Sequence, residues 1–159
     1  TDIGPLVAKR QLELLKEQVK DAIDKGAKVI IGAKEPEGLE GAYYEPTLLT
    51  NITKNMRIWK EEVFGPILPI VKFKSEEEAI KLANDTIYGL GARIISQDIQ
   101  RAQRIASKIE AGTVEINRAD HRLSPKNPFG GYKKSGMGRE FGAVGLRELC
   151  QLKVISMSK

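Results

Sequence analysis

Residues 75–117 read SEEEAIKLANDTIYGLGARIISQDIQRAQRIASKIEAGTVEIN, and this stretch decides the fold. Ser75 with Glu78 three residues on is the capping-box pattern that opens a helix. Ala79, Leu82 and Ala83 then predict its buried stripe. Leu90 to Ile95 reads as a strand. Asp98 caps a second helix carrying Ala102, Ile105, Ala106 and Ile109, and Gly112 closes it. Thr113 to Asn117 is the next strand. Strands and helices that alternate with short connections predict an α/β fold around a largely parallel sheet.

Toward the N-terminus, Ile67 to Phe73 is extended, with Pro66 and Pro69 pushing it to an edge or a strand start. Tyr43 to Ile52 and Lys28 to Ile31 are two further extended segments, separated by a Gly- and Glu-rich loop from Gly32 to Gly41. Leu6 to Lys25 is an amphipathic helix, with Leu12, Leu15, Val19 and Ala22/Ile23 at three- and four-residue steps and Gly26 as its cap. Toward the C-terminus, Arg118 to Gly145 loses periodicity. An irregular segment of that length is expected to be functional or packed against something outside the chain. Leu152 to Met157 reads as a last strand. The domain reading is therefore residues 1–150 as one unit and 151–159 as a terminal strand.

The chain has 159 residues, a formal net charge of +5, 41% hydrophobic and 30% charged residues, and one cysteine. That composition suits a packed soluble domain and not a disordered one. Lys and Arg are dispersed among the acids without a basic block, so no nucleic-acid partner is expected. The longest apolar run, Ile67 to Val71, is far short of the ~20 residues of a membrane span, so no membrane partner is expected. A lone Cys150 allows no intrachain disulfide and favours a reducing compartment, hence the cytoplasm. No metal site is expected. The N-terminal residues lack a signal-peptide pattern, and Thr1 in place of Met reads as a piece of a longer protein.

Five segments carry a resemblance: Ile3-Gly-Pro-Leu-Val7, Tyr44-Glu-Pro-Thr-Leu48, Glu61-Glu-Val-Phe-Gly-Pro66, Asn84-Asp-Thr-Ile-Tyr-Gly-Leu90 and Pro128-Phe-Gly-Gly-Tyr-Lys-Lys-Ser-Gly136. In this order and at these separations the chain resembles the C-terminal part of the catalytic domain of the NAD(P)-dependent aldehyde dehydrogenase superfamily. The resemblance implies NAD or NADP as cofactor, a small-molecule aldehyde as substrate and a homo-oligomer joined through the terminal strand. It also implies a mechanism in which a cysteine forms a thiohemiacetal, hydride passes to the nicotinamide, and a glutamate-activated water hydrolyses the thioester. That cysteine and that glutamate belong to family segments upstream of Ile3, so no catalytic residue is expected in this chain and the chain alone is expected to be inactive. A non-catalytic binding or scaffold module that pairs with an N-terminal half is the alternative.

Residue by residue, the resemblance gives Glu62 the carboxylate that accepts hydrogen bonds from the nicotinamide-ribose hydroxyls, and Phe64 the ring beside that ribose. The plain alternative is a surface acidic pair before a Gly-Pro turn. Phe129 would line the aldehyde tunnel, or pin a glycine-rich loop. Arg118, His121 and Arg122 stand in the segment that sets substrate choice, where guanidinium groups suit an anionic tail on the aldehyde. A solvated loop or an intersubunit contact remains the other reading. Asn117 reads as structural, its amide holding the following loop.

Two features are misleading. Gly136-Met-Gly-Arg-Glu-Phe-Gly142 has the look of a dinucleotide fingerprint, but it follows a Lys-rich loop instead of a strand. Cys150 invites the label of nucleophile, yet its place before the last strand reads as a buried apolar cysteine.

Overall fold

Helix α1 (Lys9–Asp24) forms where the apolar spacing places it, and Leu12, Leu15, Val19 and Ala22 are all buried. Gly26, at φ 97, ends it in a Schellman motif. Its N–H donates to the Ile23 carbonyl at 2.9 Å, and the Ala27 N–H reaches the Ala22 carbonyl at 2.9 Å. Two positions depart from the helical stripe: Ile23 is 42% exposed, and Gln18 is buried at 1%. This helix belongs to the first of two units, Thr1–Lys72 and Phe73–Lys159, in a computed structural model that describes residues 3–118 and 124–158.

In the first unit, β1 (Lys28–Ile31) pairs antiparallel with β2 (Thr47–Thr50), with a bulge between Val29 and Ile31. β2 pairs parallel with β3 (Ile67–Pro69), giving the order β1-β2-β3. A short helix, α2 (Arg57–Lys60), lies between β2 and β3 in the chain. One core cluster joins Ala22, Ala27, Leu49, Ile52, Met56 and Ile58, and another joins Leu12, Leu15, Val19, Ala42 and Tyr44. Val63 and Ile67 pack against both clusters, which draws the segment between α2 and β3 down onto α1.

In the second unit, β4 (Gly91–Ile94) and β5 (Thr113–Ile116) pair in parallel through the crossover helix α4 (Ile99–Ala106). The expected caps are both present. The Ser75 hydroxyl accepts from the Glu78 N–H at 3.2 Å to open α3 (Glu76–Ala83), and Asp98 accepts from the Arg101 N–H at 2.9 Å to open α4. The Glu78 carboxylate reaches back to the Lys74 N–H at 2.7 Å, one residue before the capping residue itself.

The α/β class holds, with corrections. Two of the three pairings are parallel, but β1 is antiparallel, and the strands divide between two sheets. Parallel neighbours are usually joined by a helical crossover, and no helix lies between β1 and β2. The α3 stripe is only half-buried at Ala79 and Leu82 and exposed at Ala83, because a two-stranded sheet offers little apolar surface to cover it. Leu152 to Met157 forms no strand among the described residues. A strand requires a neighbouring ladder, and this segment meets none here. Helix α5 (Gly142–Glu148) was hidden by Gly142 and Gly145, which lower helix propensity.

Candidate functional site

The segment Glu61-Glu-Val-Phe64 is laid along α1 and tied to it by side chains. The Gln11 amide donates to the Phe64 carbonyl at 3.1 Å. Seven residues on, the Gln18 amide donates to the Glu61 carboxylate at 3.0 Å and toward the Glu62 carbonyl at 3.4 Å. Gly65 sits directly on Leu15, where an added β-carbon would lie 2.8 Å from a Leu15 methyl. On the α2 side, the Arg57 N–H donates to Asp21 at 2.8 Å, and the Arg57 guanidinium donates to Glu61 at 2.8 Å and to Glu17 at 3.2 Å.

The two adjacent carboxylates are thereby separated in role. Glu61 is held between Arg57 and Gln18, whose hydrogen bonds, that of Arg57 first, keep its carboxyl below the usual carboxylate range. The Arg57 N–H and then Lys25 do the same for Asp21. Glu62 stays exposed, and Phe64 is 62% exposed. The loop therefore presents an acceptor-only carboxylate and an aromatic ring two residues apart in sequence.

In the second unit an open groove lies along β4 and β5, with Phe129, Arg118 and Ser124 among its lining residues. Phe129 is half-buried and fixed by its backbone, exchanging hydrogen bonds with Glu140 at 2.8 and 2.7 Å. Its ring centroid is 6.0 Å from that of Phe141. The glycine pair beside it is sterically required: a β-carbon on Gly130 would stand 2.7 Å from the Gly138 carbonyl oxygen. The segments Asn84–Leu90 and Pro128–Gly136 bind one another. The Tyr132 N–H donates to the Gly89 carbonyl at 2.8 Å, and the Gly89 N–H donates to Ser135 at 2.9 Å. Lys133 bridges the carbonyls of Asn84 and Thr86 at 2.7 and 3.0 Å and the Glu110 carboxylate at 2.7 Å.

Arg118 is exposed at the groove. His121 and Arg122 lie outside the described residues. The Asn117 amide is structural, and among the described residues it grips the loop after β4. It accepts from the Ser96 N–H at 2.9 Å and donates to the Ser96 carbonyl at 2.7 Å. Cys150 is exposed, contrary to expectation, because it follows α5 into a segment that nothing in the described chain covers. The glycines from 136 to 142 follow a 3-10 turn (Lys133–Ser135) and not a strand, in line with rejecting them as a dinucleotide fingerprint. Gln11, Gln18 and Arg57 were not anticipated. Their one signal in the sequence is a glutamine at position 18 inside the apolar stripe of α1.

The model of the aldehyde dehydrogenase family matches residues 1–155. The chain belongs to the aldehyde dehydrogenase family. It is 46% identical over 156 residues to betaine aldehyde dehydrogenase of Bacillus subtilis (strain 168), covering 96% of this chain and 32% of that protein. It is 44% identical over 155 residues to the peroxisomal aminoaldehyde dehydrogenase 2 of Pisum sativum, covering 97% and 31%. Among solved structures, betaine aldehyde dehydrogenase of Staphylococcus aureus in complex with NAD+ matches with a TM-score of 0.86 and 43% identity, over 93% of this chain and 30% of that one. Aldehyde dehydrogenase of Mycobacterium tuberculosis complexed with NAD+ matches with a TM-score of 0.86 and 38% identity, over 92% and 30%. The chain thus spans about a third of the length of the curated relatives it matches.

Proposed function

We propose that this chain is the distal part of the catalytic domain of an NAD(P)-dependent aldehyde dehydrogenase, which oxidises an aldehyde to a carboxylic acid with its cysteine nucleophile upstream of Ile3. The observation that carries this reading is the loop in which Glu61 is tied to Arg57 and Gln18 while Glu62 and Phe64 stay exposed. NAD or NADP supplies the hydride acceptor when bound. Glu62 accepts hydrogen bonds from the ribose diol, a task suited to a group with only acceptors. Phe64 covers the adjoining ring system and excludes water beside it. The NAD+ complexes of the solved relatives support NAD as the first choice.

Phe129 lines the passage for the aldehyde. Arg118, His121 and Arg122 hold an anionic tail on it, a reading supported by Arg118 at the groove. A second reading comes from the relatives named for betaine aldehyde and aminoaldehydes, whose tails are cationic. The protein that carries this chain at full length is assayed with both nucleotides and with carboxylate-tailed, ammonium-tailed and neutral aldehydes. Nucleotide reduction is expected, and Glu62→Gln raises the nucleotide KM about tenfold, or ~1.4 kcal/mol. Absence of nucleotide reduction with every aldehyde overturns the function. Replacing Arg118 and Arg122 by Ala lowers kcat/KM selectively for the carboxylate-tailed substrate. An equal loss across the panel, or a preference for the ammonium tail, decides against the anionic reading.

Residues 151–159 act as the terminal strand of a homo-oligomer, and a single cysteine suits work in the reducing cytoplasm. Leu152, Val154, Ile155 and Met157 are 80–93% exposed, which supports their burial by a partner. Sedimentation velocity is expected to show association, and a concentration-independent monomer sinks this part of the proposal.

A further inference from the structure

The strongest unexplained feature of the first unit is a polar side chain where the helix faces its core. Gln18 is 1% exposed among Leu15, Val19 and Ala22, and its Oε1 is buried with no hydrogen-bond partner. An unpaired buried amide oxygen costs stability, and a methionine of similar length would fill the same space without that cost. What the amide supplies is its nitrogen. Nε2 donates to the Glu61 carboxylate at 3.0 Å and lies 3.4 Å from the Glu62 carbonyl oxygen, so it bridges the Glu61 side chain and the carbonyl that leads from Glu62 to Val63. Arg57 holds the other oxygen of Glu61 at 2.8 Å, which fixes that carboxylate from the opposite side.

We infer that Gln18 is a positioning residue: its buried amide clamps the Glu61 carboxylate and the Glu62 carbonyl, fixing the backbone on both sides of the Glu62 side chain, and thereby aims that side chain at the cofactor. The inference rests on the cofactor role of Glu62 proposed above. Its physical basis is that the Glu62 side chain is exposed, so its direction follows from the backbone to which it is attached. With that carbonyl unclamped, the peptide is free to rotate, and the Glu62 carboxylate meets the ribose only in a fraction of the population. A lower competent fraction weakens binding by the same factor.

The test uses the full-length protein. Gln18→Met is expected to raise the nucleotide KM about five- to tenfold while kcat and the aldehyde KM stay within about twofold, the signature of lost uniform binding. The melting temperature is expected to hold or rise, since the orphan oxygen is gone. In a Glu62→Gln background, Gln18→Met is expected to add less than about twofold, because the group it aims is absent. An unchanged nucleotide KM in Gln18→Met, alongside a raised one in Glu62→Gln, overturns the inference alone. An unchanged KM in Glu62→Gln overturns the Glu62 reading beneath it. A lower melting temperature with both KM values raised in parallel assigns Gln18 a packing role and also overturns the inference. Should the methionine variant not fold, Gln18→Glu keeps the shape, replaces the donor by a charge facing Glu61, and is expected to raise the nucleotide KM at least as much.

Discussion

The two units hold their candidate site segments by different means. The first ties the Glu61–Phe64 loop down with side chains, Gln11, Gln18 and Arg57, over a core of its own. The second holds Phe129 and its glycines by main-chain contacts: Phe129 with Glu140, Tyr132 with Gly89, and Gly130 close against Gly138. Burial follows the same division. Among the described residues, eleven of the twelve buried hydrophobic residues lie in the first unit, and Ala102 alone lies in the second. Both units expose large apolar side chains, and the second does so at Leu90, Ile95, Val144, Leu146 and Leu149 with little core of its own. A loop built over its own core has its shape dictated by its own chain. A loop built from backbone contacts keeps its local turns but leaves its apolar faces for other surfaces to cover.

The largest expected effect tests that contrast directly. Leu15 is fully buried and touches Gly65, so Leu15→Ala is expected to cost about 2–5 kcal/mol of unfolding free energy. Leu146→Ala, at a side chain 67% exposed, is expected to change it by less than about 0.5 kcal/mol. Urea unfolding of the chain measures both. Comparable losses would break the comparison and mean that the second unit buries apolar surface not seen within this chain.

A smaller effect sharpens the comparison through pH. Asp21 and Glu61 are held below their ordinary values of 3.8 and 4.5 by the Arg57 backbone and guanidinium respectively. Because the folded-state values are depressed, the unfolded chain takes up protons first as pH falls. The stabilisation is complete above the ordinary values and is lost as pH drops through the folded ones. Melting temperature followed from pH 7 to pH 3 is expected to fall across that window. Arg57→Met is expected to make the fall shallower, since Glu61 returns toward its ordinary value while the backbone donor to Asp21 remains. Parallel curves for the two proteins would show that Glu61 contributes nothing to the acid response.

Much of the local architecture was legible because it depends on chemistry within a few residues. Ser75, Asp98 and Gly26 mark helix ends through bonds to their near neighbours, and each does so in the structure. The parallel pair β4 and β5 was legible from the helix between them. The antiparallel β1 was open to the same logic, since no helix separates Lys28–Ile31 from Thr47–Thr50, but the overall alternation obscured it. The candidate site was read through resemblance alone: the motif itself does not tell Glu61 from Glu62, because the difference between them lies in Arg57 and Gln18, four and forty-three positions away from Glu61. Gln18 lies inside the apolar stripe of α1, and its partners come from a different part of the chain. Cys150 misled because burial at the end of a chain depends on what covers it and not on its own apolar character.

Helix α1 has one more consequence. Gln11, Leu15 and Gln18 follow one another at steps of four and three residues along one face, and they meet Phe64, Gly65 and the Glu61–Glu62 pair respectively. At 1.5 Å per residue the two amides are about 10 Å apart, so the helix serves as a measuring rod for the loop. A residue inserted between Gln11 and Gln18 would turn one amide by about 100° away from the loop and lengthen the rod by a rise. The chain can change length cheaply in the loop from Gly32 to Gly41, where solvent takes up the difference; between these two glutamines its length is fixed to the residue.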